Sequence, residues 1–119
     1  TGHNDAISLS ERAEIFLQMI RVLGKLGRMA EAGEQLKRAR DLFTGTPVHV
    51  KVIVAESELA VRRNEVDKAI RMLNRVPQDS PDFVRAVVMK ADIHLTYRHD
   101  KLAYAQCYKE LIEFDKSPR

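Results

Sequence analysis

The feature that most restricts the fold of this chain is an internal repeat with a period of 34 residues. The segment that begins at Thr46 aligns without gaps to the segment that begins at Ser80, and residue size and charge class are kept at most aligned pairs. An earlier copy lies upstream at a spacing of 37 residues, and its three extra residues fall in the loop 44–46. A repeat of this length is one supersecondary unit that cannot bury its own apolar face, so the copies must stack on one another.

Each copy predicts two helices, because apolar residues recur at steps of three and four in both halves and no segment alternates like a strand. A capping-box pattern at Ser8 precedes the first helix. Thr46-Pro47 and Ser80-Pro81 are typical of helix starts, since a hydroxyl can cap free amides and proline suits the first turn. The last helix is predicted to bury an apolar face made of Leu102, Ala105, Tyr108 and Ile112.

The turn between the two halves carries its own signal. Gly27 and Asn64 stand there in the first two copies, where a left-handed residue can end one helix and let the chain reverse. The third copy has Arg98 at this position. Its turn is therefore expected to differ and to use Asp100 as the next cap.

Small residues recur at the points where two helices of a hairpin must approach closely. Ser57 and Ala91 share one such position, and Ala32, Ala69 and Ala103 share another. Together with large apolar residues at Leu36 and Leu73, this pattern resembles the tetratricopeptide family, from which Ile20 and Cys107 depart. The predicted fold class is therefore all-α, an α-solenoid of three tetratricopeptide-like helix hairpins with about six helices.

The domain organisation follows from the repeat. Residues 1–7 are predicted to be a tag remnant or disordered start. Residues 8–119 form the repeat segment, with copies at about 8–45, 46–79 and 80–115.

A more specific resemblance covers residues 41–113. It is carried by Ala91-Asp92-Ile93, Leu95, Arg98, Asp100-Lys101, Tyr104 and Cys107. This stretch is similar to the large tetratricopeptide subunit of intraflagellar transport complex A. The resemblance implies a structural segment of a longer scaffold acting in retrograde ciliary transport, with other complex A subunits as partners and a location in the cytoplasm, cilium or flagellum and basal body. The alternative is a generic adaptor that binds a short helical or extended peptide in its concave groove.

The first helices of stacked hairpins line the concave face, so counting from the small-residue position predicts a binding groove. The groove consists of Leu17, Arg21, Lys51, Val54, Glu58, Arg62, Arg85, Val88, Asp92 and Leu95, extended in the first copy by Glu14 and Lys25. A competing interpretation is that Val54 and Val88 only pack against neighbouring repeats.

Other classes of function lack support in the sequence. The net charge is only +3 and basic residues are scattered, which argues against nucleic-acid binding. Apolar runs are too short for membrane insertion. Cys107 is the single cysteine, and beside His94 it is interpreted as a buried filler rather than a nucleophile or metal ligand. We therefore predict no enzyme activity, no catalytic or metal site and no cofactor, and expect self-association through the uncapped ends.

Overall fold

A computed structural model of the chain describes residues 7–116. Within that range the chain forms six α-helices and no strand. In chain order they are α1 (Leu9–Lys25), α2 (Met29–Phe43), α3 (His49–Arg62), α4 (Val66–Leu73), α5 (Phe83–Arg98) and α6 (Lys101–Lys116). Successive helices pair as α1–α2, α3–α4 and α5–α6, which confirms the all-α fold with three hairpins. Residues 1–6 of the predicted disordered start lie outside the described residues, so that prediction and the predicted repeat limits stay predictions.

The predicted capping box at the start of α1 is confirmed. The Glu11 amide donates to Ser8 Oγ at 3.0 Å, and the Ser8 amide donates to Glu11 Oε1 at 2.9 Å. Two amides that would otherwise lack a partner at the helix start are therefore satisfied.

The prediction that the Thr46 hydroxyl caps the start of α3 is wrong. The Thr46 hydroxyl donates backwards to the Phe43 carbonyl at 2.6 Å, so it closes α2, and α3 begins only at His49. The equivalent Ser80 behaves closer to expectation, because its Oγ accepts a hydrogen bond from the Asp82 amide at 3.0 Å.

The turns inside the hairpins agree with the sequence. Gly27 and Asn64 adopt left-handed backbone with φ of 78° and 64°. In the third hairpin the left-handed residue is His99, with φ of 51°, one position later than the repeat would place it. Asp100 then accepts a hydrogen bond from the Ala103 amide at 3.0 Å and caps α6, as predicted.

The small residues lie where the hairpins are tightest. Ala32, Ser57, Ala69 and Ala91 are each completely buried. The Ser57 hydroxyl donates to the Val54 carbonyl at 2.6 Å, so its burial leaves no donor unpaired. A larger side chain at any of these positions would force the helices apart.

Helix α3 divides the interior into two apolar clusters. Leu59 belongs to a cluster built with α1 and α2, whereas the next residue, Ala60, belongs to a cluster built with α4, α5 and α6. Each hairpin therefore completes its core only by stacking on a neighbour, as expected for a solenoid.

The two stacking interfaces differ in spacing. The backbones of α1 and α3 lie close together, whereas α5 packs on α4 and stands further from α3. Gly24 permits the close approach, because a Cβ there would lie 3.0 Å from Arg62 Cδ and 3.6 Å from Leu59 Cδ1. Val61 occupies the equivalent repeat position on α3.

The predicted inner face of α6 is wrong. Leu102 is 85% exposed and Ile112 is 57% exposed, and Ala105 and Tyr108 are also exposed. The buried residue of α6 is instead Cys107, which belongs to the cluster built with α4 and α5. Tyr104, Leu111 and Phe114 pack against the same cluster.

Candidate protein-binding cleft

An open cleft lies along the first helices of the three hairpins. Every residue that lines it belongs to α1, α3 or α5, and its volume is about 440 Å³. This volume falls in the range of pockets that hold a ligand or a few side chains. The cleft follows from the wide spacing of α3 and α5, since the neighbouring pair α1 and α3 is closed at Gly24.

The floor of the cleft is apolar. It is formed by the lining side chains Ile20, Ala55, Leu59, Val61, Met89 and Ile93. Tyr97, which is 49% exposed, stands beside them near the end of α5. Four of the floor residues are buried within the protein itself, so the apolar area open to a partner comes from half-buried Val61 and Met89. The adjacent Tyr97 can add contact area at low entropic cost.

Charged residues surround the floor in an uneven way. Arg21 Nε lies 3.3 Å from Glu58 Oε1, and Arg21 Nη1 lies 3.5 Å from Glu14 Oε1, so a single cation is shared by two carboxylates in this part of the rim. Lys25 and Arg62 also line the cleft, and neither makes an ion pair within residues 7–116. Their place in the last turns of α1 and α3 suits the negative ends of the helix dipoles.

Four of the residues predicted for the groove line this cleft. They are Arg21, Glu58, Arg62 and Asp92, together with Lys25 from the extension. Leu17 and Val54 do not: they are 1% and 0% exposed, so assigning them to an accessible binding surface is wrong. The complete burial of Val54 agrees with the packing interpretation.

The other predicted groove residues lie elsewhere. The Lys51 side chain reaches along the chain to Asp82, with an Nζ–Oδ1 distance of 3.7 Å, and links α3 to the start of α5. Arg85 and Leu95 are exposed and Val88 is half-buried, but none of the three lines the cleft. Their assignment to a binding surface stays a prediction.

The family-model comparison decides what kind of repeat this is. The model described as the tetratricopeptide repeat protein 21 ARM repeat matches residues 1–111. The chain belongs to the tetratricopeptide repeat protein 21 family. This membership confirms the resemblance inferred from residues 41–113 and extends it to the first forty residues. It also supports the assignment of the chain to the helical-repeat scaffolds.

Curated members of the tetratricopeptide repeat protein 21 family align over nearly the whole chain. Tetratricopeptide repeat protein 21B of Mus musculus is 35% identical over 117 residues, which cover 98% of this chain and 9% of that protein. The Homo sapiens protein of the same name is 34% identical over 113 residues, covering 95% and 9%. The tetratricopeptide repeat protein 21 homolog of Caenorhabditis elegans is 24% identical over 109 residues, covering 92% and 8%. The chain therefore spans less than a tenth of the length of these relatives.

Counting along the sequence missed seven of the residues that line this family member's cleft: Ile20, Ala55, Leu59, Val61, Met89, Ile93 and Tyr97. On α5 the missed residues Met89 and Tyr97 line the cleft together with Asp92, which the count did predict. The signal that could have identified Tyr97 is its type, because tyrosine is enriched among the residues that anchor interfaces.

The cysteine of this family member is a packing residue. Cys107 is 5% exposed within the second apolar cluster, as predicted. Burial raises the pKa of its thiol above the ordinary value of 9.0, which disfavours the nucleophilic thiolate. The described residues contain no group of His, Cys, Asp and Glu side chains arranged to hold a metal ion. No helix among them has the length and apolar character needed to cross a bilayer.

Proposed function

We propose that this chain is a scaffold segment of the large tetratricopeptide subunit of intraflagellar transport complex A, and that it acts in retrograde ciliary transport. The observation that carries the proposal is the family match over residues 1–111. The idiosyncratic run from Ala91 to Cys107 supports the same assignment through its resemblance to that subunit. The expected location is the cytoplasm, the basal body and the cilium or flagellum.

The physical role of the segment is to present a fixed surface to another protein. Three stacked hairpins hold the cleft on rigid helices rather than on loops, so little ordering entropy is lost when a partner binds. The apolar floor supplies contact area, while the unpaired cations Lys25 and Arg62 favour a partner that carries carboxylates. We propose that the cleft receives a segment of a neighbouring complex A subunit.

Co-purification from ciliated cells tests the proposal at two levels. The full-length protein that contains this chain should purify with the other complex A subunits, and its absence from the complex would refute the ciliary assignment. Lys25→Glu combined with Arg62→Glu should weaken capture of one subunit, because two attractive contacts become repulsive. The matched control is Lys37→Glu combined with Lys101→Glu, which makes the same charge change at exposed positions that do not line the cleft.

A second candidate function is that of an adaptor for a short linear motif. The cleft favours it, because its volume and apolar floor suit one or two anchoring side chains with an acidic flank. The isolated chain should then bind such a peptide with an affinity in the micromolar range of about 10⁻⁶ M. Fluorescence anisotropy should detect the loss of binding in Tyr97→Ala, whereas Val88→Ala should leave it unchanged. Equal binding by both variants would exclude the cleft as the site.

A further inference from the structure

Helix α4 carries three cations on its exposed side. Arg71 lies three residues after Lys68, and Arg75 follows four residues later in the turn that ends the helix. All three line one hollow of about 520 Å³. None of them forms an ion pair with another of residues 7–116. We call these three residues the α4 strip.

The exposure of the α4 strip does not depend on the ends of the chain. Helix α4 belongs to the middle hairpin, so a described hairpin lies on each side of it. It pairs with α3 and packs on α5. Arg71 and Arg75 stay exposed and Lys68 stays half-buried although both of these contacts are made. The strip is therefore still accessible when the hairpins are stacked.

The repeat indicates that the fold itself does not require these cations. The residues at the positions of Lys68 and Arg71 are acidic on α2 and uncharged on α6, namely Glu31 and Glu34, and Leu102 and Ala105. The three second helices nevertheless pair with their first helices in the same way. Positive charge at these two positions is thus peculiar to the middle hairpin.

The position of Lys68 is also unfavourable for the helix. Lys68 is the third residue of α4, where the positive end of the helix dipole repels a cation, whereas α2 has Glu31 in its first turn. Arg71 lies in the last turn, where a cation is favourable, but it adds repulsion because like charges three or four residues apart destabilise a helix. A local cost that the fold does not require is typical of functional sites.

The surroundings of the α4 strip leave its charge largely uncompensated. A second hollow of about 560 Å³ lies between the start of α4 and the end of α5, and Lys68 and Arg71 line it too. The carboxylates that line the two hollows are Glu65 and Asp67, and Asp67 is already paired with Arg98. Glu65 alone therefore opposes the three cations of the strip, which leaves an excess of positive charge on a concave surface.

The length of the α4 strip decides which class of partner fits it. At about 1.5 Å per residue the three cations extend over about 10 Å. Typical nucleic-acid sites contact about 6 to 10 phosphates, and basic segments that bind membranes carry about 4 to 8 cations, so the strip is too small for either. An acidic stretch of a protein can place about two or three carboxylates within this length.

We propose that the α4 strip binds an acidic segment of another protein, whose carboxylates pair with Lys68, Arg71 and Arg75. This contact is separate from the cleft, because every residue that lines the cleft belongs to α1, α3 or α5. Complementary charge of this kind steers the encounter and fixes the position of the bound segment.

Titration of the isotopically labelled 119-residue chain with hexaglutamate, followed by nuclear magnetic resonance, tests the proposal. The amide signals of α4 should shift until they saturate, and the affinity should fall as salt is added. Lys68→Glu combined with Arg71→Glu should weaken binding at least about tenfold, because two attractive contacts become repulsive. This variant copies the acidic pair that α2 carries at the same positions, so the fold should tolerate it.

Two control variants make the same change in net charge elsewhere. Lys37→Glu combined with Lys101→Glu alters exposed residues that line neither hollow and should bind hexaglutamate within about twofold of the unmodified chain. Lys25→Glu combined with Arg62→Glu alters the cleft and should likewise leave this binding unchanged. A failure of the α4 contact can therefore be told apart from a failure of the cleft.

Three results would overturn the proposal. The first is an unmodified chain whose α4 signals do not shift with hexaglutamate. The second is a Lys68→Glu, Arg71→Glu variant that binds as well as the first control. The third is a strip that binds phosphatidylserine vesicles or a single-stranded RNA more tightly than hexaglutamate, which would indicate a membrane or a nucleic acid as the partner. Circular dichroism should verify the fold of each variant, and Lys68→Leu combined with Arg71→Ala, which copies α6, replaces the charge-reversed variant should the latter unfold.

Discussion

Replacing Leu17 by alanine separates a packing role from a binding role for this residue. The Leu17 side chain is 1% exposed and belongs to the cluster formed by α1, α2 and α3. Removing three carbon atoms costs about 2.4 kcal/mol at about 0.8 kcal/mol per buried methylene. The cavity left behind adds to this, so we expect a loss of about 3 to 4 kcal/mol in the free energy of unfolding.

A loss of this size is easily measured. For a domain of this length, each kcal/mol lowers the melting temperature by about 4 °C, so the variant should melt about 12 to 16 °C below the unmodified chain. Urea unfolding followed by far-ultraviolet circular dichroism gives the free energy directly, provided that the m-value is unchanged. Leu42→Ala is the matched control, because Leu42 is 53% exposed on α2 and its loss should cost less than about 0.5 kcal/mol.

The reasoning would be refuted by a Leu17→Ala variant that unfolds within about 1 kcal/mol of the unmodified chain. Such a result would mean that the first two hairpins do not share the cluster described above. A variant that keeps its stability but loses partner binding would restore Leu17 to the binding surface, where counting along the sequence had placed it.

Three further predictions concern caps, turns and the thiol. Ser8→Ala should cost about 1 kcal/mol in urea unfolding. The hydrogen bond from the Ser8 amide lowers the pKa of Glu11 below its ordinary value of 4.5. The contribution of this hydrogen bond to folding stability is therefore complete above pH 4.5 and should be lost as the pH falls through the lowered pKa. A nuclear magnetic resonance titration of the Glu11 carboxyl can follow the change. Asn64→Gly should leave stability nearly unchanged, whereas Asn64→Val should cost about 1 to 2 kcal/mol because the residue has φ of 64°. Burial raises the pKa of the Cys107 thiol above its ordinary value of 9.0. The free energy of unfolding should therefore begin to fall above pH 9.0, because the thiol of the unfolded chain loses its proton first. A disulfide reagent should also react far more slowly with the native chain than with the chain in urea.

The helices and their pairing could be predicted because the information is local. A 34-residue period, a helical apolar pattern and turn residues such as Asn64 specify hairpins whatever surrounds them. The buried state of Ser57 and Ala91 was likewise predictable, since only small residues fit where two helices are closest.

The accessible faces could be predicted only in part, because they depend on contacts between hairpins. Counting residues gives an angle around a helix axis, but it does not say how closely the next helix approaches. Val54 occupies a nominal groove position and is nevertheless fully buried, whereas Met89 lies one residue from a predicted position and lines the cleft. On α6 the apolar pattern was interpreted as a single inner face, although Leu102 is 85% exposed.

The difference between Gly24 and Val61 also has a mechanical consequence. The first and second hairpins are joined along two pairs of helices, whereas the third is joined to the second chiefly through the eight-residue α4. A pulling force applied to the two ends of the segment would therefore extend the joint beside Val61 before the joint beside Gly24. Of the two joints, the one between the second and third hairpins is therefore the weaker under load, because fewer pairs of helices hold it.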